Sequence, residues 1–250
     1  MMQYHKIKGD YFEQKAMSLL KKITGRKTCT KLFYKNDKEL DGLIILNDLV
    51  FLVEVKGKKK RVIAGVEDVV KLTKEDFISS IGKAYHQLNR AFDYIQSKDE
   101  VEFKDDMGNT KLKIRKDSFK NFCLISICIE VFSKLHDINL VKKWDPSLIR
   151  GDNYPWIVNI YDLIVISELL ENQSVTFISY LENRIRVSET NELKTLDELD
   201  FLGYFFTYGH LRRDPKMEKT KNAIILINGF AEELIDITLL KEAKLLLLRS

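Results

Sequence analysis

The chain has 250 residues, 45% hydrophobic and 31% charged, with three prolines and a formal net charge of +4. That balance excludes a disordered or membrane-embedded chain and is enough for one large domain, or for a catalytic core with an appendage. The longest near-continuous apolar run, Phe122 to Phe132, is about half of what spans a bilayer, and the N-terminus MMQYHKIKGDYFEQ lacks a signal peptide's apolar stretch, so a cytoplasmic location with no membrane partner is expected.

From Asp10 to Ile23 the residues Phe12, Ala16, Leu19, Leu20 and Ile23 recur at helical spacing, with Asp10 placed to cap the start and Gly25 to mark the end. Three strands are predicted next, Thr30 to Tyr34, Glu39 to Leu46 and Leu49 to Lys56, all rich in branched and aromatic residues and separated by Asn/Asp clusters. A polar loop from Gly57 to about Thr73 leads to a second helix carrying Phe77, Ile81, Ala84, Leu88, Ala91, Phe92 and Ile95. The charged stretch Ser97 to Lys120, with DDMGN inside it, reads as a hairpin tip or an exposed insertion.

Asn121 to Phe132 is an almost unbroken apolar run, as expected of a strand buried on both faces. It contains Cys123 and Cys128, which a strand would send to opposite faces, so buried thiols are expected rather than a zinc pair. An odd, sparse set of three cysteines also gives no disulfide framework. Trp156 to Ile160 is a short strand candidate. Asp162 is placed to cap a helix through Leu170, and Ser174 another carrying Phe177, Leu181 and Ile185, with a third helix over Thr195 to Phe206. A strand over Ala223 to Ile227 and a leucine-rich helix from Phe230 close the chain. That last helix presents more apolar surface than a free terminus should, so it is expected to pack on a second copy, on a partner protein or on further sequence.

The chemistry gathers in ELDGLIILNDLVFLVEVKG. If Asn47-Asp48 forms a two-residue turn, Leu46 faces Leu49, Leu43 faces Leu52, and Asp41 falls opposite Glu54 with Cβ atoms on the order of 5 Å apart. Lys56, two residues beyond Glu54, projects from the same face, and Phe51, Val53 and Val55 from the other. Two carboxylates side by side in an apolar hairpin repel one another, and a divalent cation is the natural compensation. Mg²⁺ suits such a site because it takes one or two carboxylates and keeps room for a phosphate oxygen. The lysine would orient or help deprotonate an attacking water and stabilise charge developing on phosphate. The plainer reading of the same residues is a solvated strand end on which Lys56 neutralises Glu54.

The order helix, three strands, helix, strand, with GDYFE, ELDG, VEVKG and AYHQLNRAFDYI in turn, resembles the PD-(D/E)xK nucleases, and within them the NERD (nuclease-related domain) and restriction-endonuclease-like branches. The resemblance runs over residues 9–132, about half the chain. It implies an α/β fold with a restriction-endonuclease-like core and a mainly helical C-terminal part, divided into a nuclease-like domain at 1–185 and an extension at 186–250. By resemblance, Asp41 and Glu54 would be metal ligands with the Val55 carbonyl as a third, Lys56 the catalytic lysine, and Mg²⁺ the cofactor with Mn²⁺ also accepted. Glu13 matches the first-helix glutamate that reaches the metal site in many members; an exposed helical carboxylate is the equal alternative. Gln87 matches the glutamine of branches with a QxxxY helix, although position 91 here is alanine and the next tyrosine is Tyr94. Glu39, two residues before Asp41, points the same way and could assist it, with a surface residue where the strand begins as the favoured reading.

Beside such a site the KGKKKR run gains meaning, with Lys58, Lys59, Lys60 and Arg61 continuing off the catalytic strand as expected phosphate contacts. The leading expectation is a DNA nuclease serving restriction, repair or anti-phage defence. The alternatives are a nucleic-acid-binding module that has lost activity, and an interaction subunit acting through the C-terminal helices as a homodimer or with a partner protein.

Overall fold

The computed structural model describes residues 2–35, 37–57, 74–129, 142, 146, 153–195, 197–213, 224–232 and 234. Helix α1 spans Met2–Thr24, beginning eight residues before the expected start, so Asp10 lies inside the helix and caps nothing. The helix ends where expected, at Gly25 with φ of 63°, a left-handed turn that favours glycine. Three antiparallel strands follow, β1 (Thr28–Tyr34), β2 (Lys38–Leu46) and β3 (Leu49–Lys56). Helix α2 (Lys83–Gln96) is preceded by a π-helical turn over Ile78–Gly82.

Of the two readings of Ser97 to Lys120, the hairpin is the one found, with DDMGN at its tip, and it joins the sheet. Its strands are β4 (Glu100–Lys104) and β5 (Thr110–Arg115), and β4 pairs with β1 at Phe33–Lys104. Its strand signal is diluted because charged residues alternate with the inward-facing Val101, Phe103 and Ile114, leaving few apolar positions to read. Strands β6 (Asn121–Cys128) and β7 (Trp156–Asn159) then pair in parallel, completing a seven-stranded sheet in the order β5-β4-β1-β2-β3-β6-β7. The protein is thus α/β with a mixed, mainly antiparallel central sheet flanked by helices, an arrangement compatible with a restriction-endonuclease-like core.

The period-two alternation of β3 and β6 sends their side chains into two cores. On one face Phe51, Val53, Val55, Ile125 and Ile127 pack with Ala16, Met17, Leu20 and Ile23 of α1. On the other Val50, Leu52 and Leu124 pack with Tyr85, Leu88, Ala91 and Ile95 of α2. Cys123 and Cys128 are buried in opposite cores, as their spacing required. Gly42 lets α1 approach the sheet: a Cβ there would stand 2.3 Å from Met17 Sδ.

The C-terminal part is mainly helical, with α3 (Ile160–Leu169), α4 (Ser174–Thr190) and α5 (Glu198–Tyr208), and a two-stranded pair of β8 (Leu193–Lys194) and β9 (Ile225–Leu226). The caps differ from those read in the sequence. Asn159, not Asp162, accepts the backbone N–H groups of Tyr161 and Asp162, because it is the last extended residue before α3. Ser174 is already helical, and its predecessor Gln173 makes no side-chain cap, whereas Asp197 caps α5 through the Leu199 N–H. Helix α4 runs across residue 185, and Leu199, Leu202 and Phe205 of α5 share a core with α1 and β3. No helix among the described residues is long and apolar enough to cross a membrane.

One buried acid ties this part to the sheet. Glu198, fully buried, accepts from Trp156 Nε1 at 2.7 Å, Tyr180 Oη at 2.5 Å and Arg184 Nε at 3.0 Å, joining β7, α4 and α5. Glu198→Ala leaves the buried Arg184 charge without its carboxylate and is expected to cost about 3–5 kcal/mol, read as a lower urea midpoint. Nearby, burial and then the charges of Asp197 and Glu198 push the Asp162 carboxyl up to about 8. The folded state therefore holds this proton more tightly than the unfolded chain, and stability falls as pH rises from about 4 through about 8. Asp162→Asn is expected to flatten that fall in urea titrations across the range.

Candidate metal-dependent active site

The hairpin register is the one that a two-residue Asn47-Asp48 turn requires: Leu46 pairs with Leu49, Ile45 with Val50, Leu43 with Leu52 and Gly42 with Val53. Asn47 takes φ of 58°, a left-handed conformation that asparagine tolerates better than most residues. Continued one step, this register sets Asp41 across from Glu54, but the backbone ladder stops at Gly42 and Val53. In its place the Val55 N–H donates to Asp41 Oδ2 at 2.7 Å. The other side of Asp41 is open as well. The β1–β2 register passes from Thr30–Gly42 to Leu32–Leu40, stepping over Lys31, whose φ of 49° is uncommon for a lysine. Lys31 turns to Asp10 of α1, with Nζ donating to Oδ1 at 2.8 Å.

Glu54 and Lys56 share the face of β3 that α2 covers. Glu54 is fully buried, and Lys56 Nζ lies 2.5 Å from its Oε2 and 3.7 Å from Asp41 Oδ2. The second oxygen of Glu54, Oε1, is buried without a hydrogen-bond partner. A buried carboxylate oxygen left open costs on the order of 1–3 kcal/mol, more when charged, so its retention calls for a ligand. Burial, then the Asp41 charge, pushes the Glu54 carboxyl well above the usual carboxylate range, and Lys56 offsets only part of that. Burial alone would lower the Lys56 ammonium, but Glu54 and Asp41 outweigh it, and Lys56 is held in its charged form.

Glu13 belongs to this cluster rather than to open solvent. It is half-buried, and burial followed by the charges of Asp41, Glu39 and Asp10 raises its carboxyl to about 7. Glu39, read in the sequence as a surface residue, is half-buried too, raised by burial and then by Asp41, with Lys31 and Lys56 partly offsetting the rise. Its same-face spacing from Asp41 was the available signal. Gln87 sits on α2 with Oε1 buried and unpartnered, lining a cavity together with Glu39. Tyr94, in contrast, donates to the Glu102 carbonyl at 2.9 Å and stacks on Tyr34, a packing role. Ser126 was missed altogether: it is the register partner of Glu54 on β6, fully buried, with its hydroxyl unpartnered. Only the parallel pairing of β3 with β6, invisible in the sequence, brings it there. Lys58, Lys59, Lys60 and Arg61 lie outside the described residues.

About half of the chain is similar to UPF0102 proteins. Two from Clostridium perfringens, one from strain 13 / Type A and one from strain ATCC 13124, are 26% and 27% identical over 122 residues, covering 48% of this chain and 99% of each relative. No family model matches the chain, and no solved structure matches it.

Asp41, Glu54 and the Val55 carbonyl are the groups that could hold a small hard cation. Among the described residues no group of three or more His, Cys, Asp or Glu side chains is arranged to hold a metal by itself. What the hairpin offers is two carboxylates and a backbone carbonyl. The Lys56 carbonyl accepts from the Ile129 N–H at 3.1 Å, so strand alternation turns the Val55 carbonyl toward the opposite edge, where Asp41 lies. Few protein oxygens with space for water is the preference of Mg²⁺ rather than of Ca²⁺ or Zn²⁺. Mg²⁺ or Mn²⁺ at one hundred times its dissociation constant is expected to stabilise the wild type by about 2.7 kcal/mol. Asp41→Ala and Glu54→Gln should lose that stabilisation, as followed by thermal denaturation with and without EDTA.

Proposed function

We propose that the protein is a metal-dependent nuclease of the PD-(D/E)xK type that hydrolyses phosphodiester bonds in DNA, in restriction, repair or defence against foreign DNA. The observation that carries this reading is the Asp41–Glu54–Lys56 cluster, with one fully buried carboxylate oxygen left open beside a second acid and a lysine. The similarity to UPF0102 proteins covers about half of the chain and names no activity, so the reading rests on the site itself. The NERD or restriction-endonuclease-like branch is the finer assignment we favour within it.

In this mechanism Asp41, Glu54 and the Val55 carbonyl would hold Mg²⁺, or Mn²⁺ in its stead. When bound, the ion supplies Lewis-acid polarisation of the phosphodiester and balances the two carboxylate charges. Asp41 is fixed by the Val55 N–H, so its position does not depend on ligand. Lys56 stays protonated and within ion-pair distance of both acids, which keeps a positive charge where negative charge develops on the phosphate. Glu13, raised to about 7, is suited to accept a proton from the attacking water near neutral pH. Gln87, with an unpartnered amide oxygen, orients that water or the substrate from the α2 side.

The second reading, a binding module without activity, is favoured by one observation: Lys56 Nζ already occupies one Glu54 oxygen at 2.5 Å. Incubation of plasmid and linear DNA with the protein in Mg²⁺, Mn²⁺ or EDTA separates the two. Wild-type protein is expected to cleave only with metal, and Asp41→Ala and Lys56→Ala to reduce the rate by about 10²–10³-fold, the scale of losing one charge-stabilising group. Equal cleavage by wild type and variants would defeat the proposal, and binding without cleavage under every metal would establish the module.

A further inference from the structure

A cleft lies along the outer face of α2, beside the candidate site. It is a cavity of about 430 Å³ between the start of β2 and α2. Its α2 wall is Lys83, His86, Gln87 and Arg90, which fall at the spacing of one helix face. Lys38 faces them from β2, and Glu39, whose carboxyl feels the Asp41 charge, marks the end nearer the candidate site. Lys38, Lys83, His86 and Arg90 are all exposed. Among the described residues neither Lys38 nor Lys83 forms an ion pair, and Arg90 spends only Nε, on the Tyr34 hydroxyl at 3.2 Å.

We propose that this cleft is a binding track for the sugar-phosphate backbone of one DNA strand, with Lys38, Lys83 and Arg90 as its phosphate contacts, delivering the strand to Glu54 and Lys56. Lys83 and Arg90 stand about 10 Å apart along the helix axis, a span that follows a strand past more than one phosphate, given a charge about every 3.4 Å of axis. Two acids also line the cleft. Asp37 lies in the exposed β1–β2 turn, and Glu39 is turned into the acidic cluster around Asp41, so the α2 wall carries no carboxylate of its own. Cations in a row on a fixed helix, opening onto the unpartnered Gln87 amide oxygen, match a backbone of repeated phosphates better than a small anion, which would need converging donors.

This inference deepens the nuclease reading and rests on it for the direction of the track, but binding tests it without cleavage. Fluorescence anisotropy with labelled single-stranded and duplex DNA in EDTA would be measured over a range of salt for wild type, Lys38→Ala/Lys83→Ala, and Lys21→Ala on the exposed side of α1. The double variant is expected to bind on the order of tenfold more weakly, and its log–log salt slope to fall by about two, one per lost phosphate contact. Lys21→Ala should leave both unchanged. Unchanged affinity and slope in the double variant, wild-type binding to RNA but not to DNA, or no DNA binding at all would overturn the track. If the double variant loses binding while wild type cleaves no DNA under any metal, the track stands and the nuclease reading falls. If wild type cleaves and the double variant binds normally, the reverse holds.

Discussion

The hydrogen bond from the Val55 N–H to the Asp41 carboxylate is where the sheet gives up a ladder position and gains a site. Up to Gly42 and Val53 the β2–β3 hairpin is ordinary, its register set by the tight turn at Asn47 and Asp48. One step further, a side chain takes the place of a backbone carbonyl. On the opposite edge of β2, Lys31 leaves the ladder at the same level. Asp41 is thereby fixed in a gap between strands instead of being covered by them. A register slip of one residue would send Glu54 and Lys56 to the α1 core and exchange them for Val53 and Val55.

Two fully buried glutamates show what separates a structural acid from a functional one. Glu198 is saturated by Trp156, Tyr180 and Arg184, and its charge is matched by a guanidinium that itself stacks over Phe201. Such an acid specifies how β7, α4 and α5 meet and has nothing left to offer a ligand. Glu54 has one oxygen on Lys56 and the other on no partner, with Asp41 near enough to raise its proton affinity. The same residue type, equally buried, is held in a condition that folding alone disfavours. Unfavourable burial of that kind gathers where ligands bind.

The helices divide the labour around this gap. Helix α1 closes one face and brings Glu13 to the acids, an approach that Gly42 permits by leaving room for Met17. Helix α2 closes the other with Leu88, Ala91 and Ile95, while its opposite edge carries Gln87 and the row of cations. Packing and recognition thus use different faces of one rigid element, which holds polar groups in place more firmly than a loop would.

By itself the sequence determined whatever depends on local period and turn chemistry. The alternation in LDGLIIL and LVFLVEVK, with the tight Asn47-Asp48 turn between them, was enough to bring Asp41 beside Glu54, although the paired ladder ends one step short of them, and to put Lys56 on the same face. Helical spacing was likewise enough to find the buried face of α2. Tertiary structure decided whatever depends on pairing distant segments. The β4–β5 hairpin, too charged to show a strand pattern, becomes part of the sheet because β1 offers it an edge. Ser126 meets Glu54 only through a parallel pairing across some seventy residues of chain, which no local pattern encodes. Burial decided the standing of Glu13 and Glu39, because a carboxylate's environment is made by what packs on it. Asn159 capped α3 in place of Asp162 for a related reason: the cap belongs to the last extended residue, and where a strand ends is set by its neighbour in the sheet.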